Sequence, residues 1–373
     1  MPPPDRKLAE PRASASVILI SPENQVLLLH RVKESSSFPS SHVFPGGNIS
    51  TFQDRHVRSL NSGKHGDSLG YRLAAIRETF EESGILLARV GGKDGKLLSV
   101  PNTERDKARK AIHQSLLHFG TWVEELGAVP DTDNLVPFTR WITPPSQFRR
   151  YTTQMYLYML PLSASHDPTV AAAQAEAIIP TPDGGVEINT AHFDYASTWL
   201  EKQSRGEIVM FPPQCFLLHL ISQFLVGPPK GSLSDSEAAE YYEAQRESLR
   251  RFVAAVPTTS DPKVAQHPTS QIPWADKVIC PNFLGQRKSD GKTVLGLAEP
   301  GPDLRNSGRG GDWERVVLTH FVNGVATEVE VKNRIEVMEG EREANKESAK
   351  AAENETEKGA EKEAEREPRE AKL

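Results

Sequence analysis

Arg77-Glu78-Thr79-Phe80-Glu81-Glu82-Ser83-Gly84-Ile85 is the stretch on which the fold turns. At about 100° per residue, Leu73, Ile76 and Phe80 share one side of a helix spanning residues 71–83, and Glu78, Glu81 and Glu82 fall roughly opposite them. Gly84 is placed to stop that helix. Carboxylates three and four residues apart repel one another by about a few tenths of a kcal/mol per pair. The repulsion becomes useful if a hard cation sits among the oxygens, because Mg²⁺ takes oxygen ligands and shares them with substrate phosphates. A cation so held withdraws charge from a phosphoryl group. Arg77 is positioned to pair with a carboxylate and fix its rotamer. By themselves these glutamates read as a solvated acidic face; their surroundings decide otherwise.

Upstream, the apolar runs 13–21 and 26–31 flank Pro22-Glu23-Asn24 and predict a hairpin. A Ser-rich loop, 35–41, leads to Phe44-Pro45-Gly46-Gly47, and the polar, Gly-containing stretch 48–70 reads as an inserted loop. Downstream, the pattern predicts a strand over 85–90 and a helix over 104–120 with Ala108, Ile112, Leu116 and Phe119 on one side. Strands follow over 135–142 and 151–160, helices over 191–203, 213–225 and 237–256, and a hairpin over 314–322 and 325–337. Asn323-Gly324 suits its type I′ turn. Gly308-Arg309-Gly310-Gly311-Asp312 reads as a turn before a strand rather than a phosphate cradle.

Together, Phe44-Pro45-Gly46-Gly47 and the stretch 77–85 resemble the Nudix box of the Nudix hydrolases. The resemblance implies an α/β fold, a Nudix-type α-β-α sandwich, with a loop inserted in the box. It implies water attack on a pyrophosphate joined to another moiety, with Mg²⁺ or Mn²⁺ as cofactor. Glu78 and Glu82 would be metal ligands, Glu81 a third, and Gly46 or Gly47 would offer a backbone carbonyl. The general base is left among the box glutamates, Glu176 and Glu187. Two departures stand out. Thr79 replaces an aliphatic residue, and the spacer between Gly47 and Arg77 is long, so that Gly63 keeps its register while Leu69 occupies the position of a further Glu. Asp54 and Asp67 are both candidates to replace that Glu.

A peroxisomal branch of the family that acts on coenzyme A carries a similar insertion. Trp141-Ile142-Thr143-Pro144-Pro145, Arg149-Arg150-Tyr151-Thr152, Trp199 and Phe211-Pro212-Pro213 resemble that branch. Its coenzyme A signature is matched in part: Leu27, Leu28 and Arg31 keep their distances from Phe44, whereas Ser36 and Ser40 replace an Arg and a Gly. The 3′-phosphate of coenzyme A wants a cationic partner, and Arg31, Arg149 and Arg150 are the substrate-binding candidates. Ala371-Lys372-Leu373 is a conservative variant of the Ser-Lys-Leu peroxisomal address, which implies an import receptor as partner. The expected reaction splits coenzyme A or an acyl-coenzyme A into 3′,5′-ADP and a 4′-phosphopantetheine product. The rivals are NADH or another nucleoside diphosphate derivative, including capped RNA, and a non-catalytic nucleotide-binding module.

The remaining composition bounds the partners. The chain has 373 residues and a net charge of −6, which argues against a nucleic-acid protein working by bulk positive charge. No apolar run is long enough for a membrane span. Cys215 and Cys280 support no disulfide framework and read as ordinary buried thiols. The expected organisation is a disordered leader (1–12), a Nudix domain (13–226, with the insertion at 48–70), a helix and linker (227–272), a C-terminal β extension (273–338) and a charged tail (339–373). That tail holds 12 Glu and 8 Lys or Arg, which leaves it disordered or at most a lone helix.

Overall fold

β1 (Arg12–Ile20) and β2 (Val26–Arg31) form the expected hairpin, and a long sheet grows on both sides of it. The computed structural model describes residues 8–33, 39–54, 65–92, 95–162, 179–183, 187–259, 261–322 and 324–364. Gly63, Ser36, Glu176, Asn323 and the terminal tripeptide lie outside these. β3 (His42–Val43) pairs with β2, and β4 (Gly46–Asn48) pairs with β1. α1 (Leu69–Ser83) then crosses behind β1 and β4. β5 (Ala88–Val90), β6 (Lys96–Leu97) and β7 (Ala128–Pro130) make a small separate sheet in the order β6-β5-β7. α2 (Asn102–His113) and α3 (Phe119–Glu125) lie between its strands in sequence. β8 (Val136–Ile142) and β9 (Tyr151–Met159) return to the main sheet, and β10 (Ile188–Asp194) closes its far edge on β2.

The main path runs β10-β2-β1-β9-β8 and ends on β11 (Val278–Ile279). β1 and β9 run parallel in unbroken register, from Arg12 opposite Tyr151 to Ile20 opposite Met159. Both faces of this seam are covered, which is why β1 reads as a near-continuous apolar run. Ala15, Val17, Leu19, Leu27, Leu29, Tyr156 and Tyr158 pack with α1, α2 and α3. Ile18, Ile20, Val26, Leu28, Met155 and Leu157 pack on the opposite side with α4 (Ala196–Ser204), α5 (Pro212–Ser222) and α6 (Asp235–Ala254). The layers are therefore helix, sheet, helix, as the box resemblance implies.

After the short α7 (Pro262–Gln266), β12 (Asn282–Gln286), β13 (Thr293–Leu297), β14 (Asp312–Val322) and β15 (Val325–Asn333) form a four-stranded antiparallel sheet. The expected C-terminal hairpin is thus half of a larger sheet, whose Leu297, Val317, Ala326 and Val329 join the core shared with α4 and α5. α8 (Arg334–Ala364) follows directly: Val337 in its first turn packs on Val294, Val316 and Leu318, and the helix runs on through residues 339–364 of the charged stretch.

Three local expectations change. Residues 191–194 are strand, not helix, because His192 and Phe193 pair with Leu28 and Leu27 of β2 and give the sheet its edge. The helix expected over 104–120 breaks at Ser115, where φ is +56°, leaving Leu116 76% exposed and starting α3 afresh from a His118 cap. Only the last three residues of 85–90 make a strand, β5. At the other end of the molecule, Ser234 and Glu237 form a reciprocal capping box that starts α6.

Candidate active site

α1 ends where the sequence says it should. Gly84 takes φ +74°, the left-handed conformation that glycine adopts without steric cost, and its N–H donates to the Phe80 carbonyl. Thr79, the departure from an aliphatic residue, is fully buried and satisfies its hydroxyl on the Ala75 carbonyl at 2.8 Å. The helix therefore carries a polar residue on its packed side without leaving a buried hydroxyl unpaired.

The two glycines of β4 let α1 approach the sheet. A Cβ at Gly46 would lie 2.4 Å from the Ala15 carbonyl oxygen, and one at Gly47 would lie 2.5 Å from the Glu78 carboxyl. β4 is thereby squeezed between β1 and the glutamates of α1, with room for backbone only. The Gly46 N–H donates to Glu82 Oε2 at 2.8 Å, and the Gly47 carbonyl accepts from the Ser14 hydroxyl at 2.8 Å.

Arg77 organises the acidic side. It is 4% exposed and its fork bonds both oxygens of Asp54 at 3.1 Å, Glu78 Oε1 at 2.8 Å, Glu81 Oε1 at 2.7 Å and the Asn48 carbonyl at 3.0 Å. Of the two aspartates, it is Asp54 that stands beside Arg77. Asp54 is buried against Arg77, whereas Asp67 serves Arg72 and the Tyr156 hydroxyl. Leu69 is merely the exposed first residue of α1.

Other candidates fall in different places. Arg31 sits inside the cluster, 3.3 Å from Glu82 and 2.7 Å from Glu187, so it positions carboxylates. Arg149 is exposed on the rim of the cleft. Arg150 corrects the expectation of substrate binding: it is buried, bonds the carbonyls of Thr143 and Ala9, and pairs with Asp303. It ties β9 to the C-terminal region. Three contributors escaped notice. His113 bonds Glu81 at 3.3 Å, Arg109 bonds the Glu81 carbonyl at 2.9 Å, and Arg12, assigned to the leader, starts β1 and lines the cleft. Arg105, Arg109 and His113 recur every four residues on α2, and that basic stripe, facing the C-terminal end of α1, was the available signal.

The electrostatics separate the three glutamates. Burial pushes the Glu78 carboxyl up to about 7, against the pull of Arg77 and with a further push from Glu81. Burial, then the neighbouring Glu78, raises Glu82 well above the ordinary value. Burial also opposes ionisation of Glu81, but hydrogen bonds from His113 and Arg77 outweigh it and hold that carboxyl low. Among the described residues no three acidic or imidazole side chains already converge as a metal cage, the glutamates being turned onto Arg77, Arg31 and the Gly46 amide. The donor set nevertheless fits a hard divalent cation. Two mutually repelling carboxylates one helical turn apart, desolvated together, are stabilised by positive charge between them.

A pH dependence follows. In the metal-free protein Glu78 keeps its proton to about 7, whereas the unfolded chain releases it near 4.5. Its contribution to stability is full below the lower value and is lost as pH rises through the upper one. A cation bound by the ionised pair offsets that loss. The rise in melting temperature on adding MgCl₂ or MnCl₂ should therefore be small at acidic pH and larger at mildly alkaline pH. Equal shifts in a thermal melt at both would remove Glu78 and Glu82 as its ligands.

All of this opens into one cleft of about 1680 Å³. Its charged lining includes Arg12, Arg31, Lys110, Arg149 and Glu187 beside the residues above. A model of the NUDT19 Nudix domain matches residues 50–220. The chain is 26% identical over 326 residues to the acyl-coenzyme A diphosphatase NUDT19 of Gallus gallus, covering 74% of this chain and 80% of that protein. It is 24% identical to the protein of the same name from Homo sapiens, covering 71% and 76% of the two chains. To putative nudix hydrolase 7 of Caenorhabditis elegans it is 27% identical, covering 57% of this chain and 61% of that one. Among solved structures, a Nudix hydrolase from Alicyclobacillus acidocaldarius is similar at 21% identity and a TM-score of 0.43, covering 57% of this chain and 91% of that one.

Proposed function

We propose that the chain, a Nudix hydrolase acting on diphosphate bonds and resembling the coenzyme A diphosphatase branch, splits coenzyme A or acyl-coenzyme A, with Mg²⁺ or Mn²⁺, into 3′,5′-ADP and a 4′-phosphopantetheine product. The observation that carries the chemistry is the placing of Glu78 and Glu82 against Gly46-Gly47 within the cleft. Glu78 and Glu82 would hold a divalent cation there, which would supply charge neutralisation for the diphosphate. Arg77, held by Asp54, fixes the Glu78 carboxyl in place, and Arg31 braces Glu82 from the other side. Glu187 is the carboxylate best placed to accept a proton from the attacking water, since it lines the cleft and its side chain is 40% exposed. Arg12, Lys110 and Arg149 supply positive charge for phosphate groups along the same wall.

Support for the coenzyme A substrate comes from the names of the chicken and human relatives and from the size of the cleft. A pocket for a drug-sized ligand holds roughly 300–1,000 Å³, and this one exceeds it. The test is mass identification of products after incubating purified protein and Mg²⁺ with coenzyme A, acyl-coenzyme A, NADH, ADP-ribose and capped RNA. Formation of 3′,5′-ADP is expected. Its absence while another diphosphate is cleaved overturns the substrate assignment. Peroxisomal delivery belongs to the same reading, through Ala371-Lys372-Leu373 and an import receptor. A fluorescent fusion that reaches peroxisomes equally well without those residues would exclude it.

A further inference from the structure

The lining of the cleft is divided by chemistry. Every charged residue on it belongs to the first 190 residues of the chain, whereas the C-terminal sheet contributes Pro281, Phe283, Thr293, Leu295, Phe321 and Gly324. None of those six is charged. Phe283 on β12 stands opposite Leu295 on β13, and Phe321 ends the run on β14 that buries Val317. The face that packs Leu297, Val317 and Ala326 into the core thus continues beyond the core and emerges in the cleft. There Phe283 is 66% exposed and Phe321 47% exposed, and Phe148, on the loop between β8 and β9, is 84% exposed on the same cleft. Three large aromatic side chains left in water beside a catalytic cleft are an unfilled apolar surface.

We propose that Phe283 and Phe321 of the C-terminal sheet, with Phe148, form the seat for the fatty acyl chain of an acyl-coenzyme A. The inference rests on the coenzyme A reading and extends it. Such a substrate carries phosphates at one end and a flexible hydrocarbon at the other, and one cleft is lined both by the charged residues around Glu78 and Glu82 and by the exposed rings of Phe148, Phe283 and Phe321. Placing the diphosphate at Glu78 and Glu82 sends the pantetheine arm away from the charged wall, and a chain at its end then covers the exposed rings. The C-terminal sheet thereby sets chain-length preference while the chemistry stays on α1. Each methylene buried contributes favourably to binding, so the preference is graded with length.

The test uses the full-length enzyme and a Phe283→Ser, Phe321→Ser double variant. Phe283 and Phe321 are both partly exposed and neither belongs to a buried core cluster, so the substitutions open no core cavity. Rates are compared on free coenzyme A, butanoyl-coenzyme A and dodecanoyl-coenzyme A. The variant should lose about tenfold in kcat/KM on the dodecanoyl substrate, mostly through KM, with free coenzyme A nearly unchanged. An equal loss on all three, or none on the long chain, overturns the acyl seat while leaving the coenzyme A reading intact. Failure of the wild-type enzyme to cleave any of the three overturns that reading instead. Size-exclusion chromatography of both proteins completes the test: a wild-type dimer that the substitutions dissociate, with the chain-length profile unchanged, makes this face an interface between copies and also overturns the proposal.

Discussion

Glu82→Gln is expected to lower kcat by about a thousandfold, the size of effect seen when a single transition-state electrostatic group is removed, and to leave the fold standing. The two halves of that result have different causes. Glu82 lies 2.8 Å from the Gly46 amide and 3.3 Å from Arg31, so a glutamine of the same shape keeps the amide contact. Its loss of charge is tolerated because burial and Glu78 already disfavour the ionised carboxyl in the metal-free protein. The melting temperature without added metal should hold steady or rise slightly, Arg31 retaining its 2.7 Å bond to Glu187. The increase produced by Mg²⁺ or Mn²⁺ should shrink. Steady-state kinetics alongside melts with and without the cation read both. Wild-type kcat in the variant would remove Glu82 from the metal site, and a collapsed melt would make it a structural residue.

Arg77→Met should be the most destabilising change at the site. One buried guanidinium serves Asp54, Glu78, Glu81 and the Asn48 carbonyl, and Asp54 is only 1% exposed. Removing it strands the buried Asp54 carboxylate, and breaking such a pair costs about 3–5 kcal/mol. For a chain of 373 residues that corresponds to a fall in melting temperature of roughly 5 °C. Arg77→Lys restores charge without the planar fork and should recover part of the stability but little of the activity. Asp54→Asn removes one carboxylate together with its need for a partner, so combining it with Arg77→Met should cost less than the sum of the single changes. A purely additive double variant would show that the two side chains act independently.

How much of this the sequence disclosed depends on what kind of fact was asked. Local periodicity sufficed for the β1–β2 hairpin, for α1 and for the alternation of β9, because each repeats its own pattern within one element. The strand at 191–194 was missed because its pairing with Leu27 and Leu28 lies more than 160 residues away and overrides local preference. The box glutamates were legible by resemblance, but which acid of the inserted loop reaches Arg77 was not: a long inserted loop carries no register, so nothing in the sequence singled out Asp54 for that contact. Arg149 and Arg150 are alike in sequence, yet neighbours entering a strand point to opposite sides, and one faces the cleft while the other is buried on Asp303. The aromatic wall was invisible for a related reason. Alternation tells which residues share a face of β12–β15, and only the assembled chain tells what that face looks onto.

The parallel seam between β1 and β9 has a consequence for the newly made chain. Its first partner residues, Arg12 and Tyr151, are 139 positions apart. At ribosomal speeds of 5–20 residues per second, β1 waits on the order of ten seconds for the strand that completes its hydrogen bonds. During that interval one of the most apolar segments of the protein offers an open edge to any passing strand. Extra residues in the insertion lengthen the wait in proportion but add to the closure entropy only as a logarithm. The vulnerable period of this protein therefore falls during synthesis, and a nascent chain arrested before residue 160 is the species most exposed to aggregation.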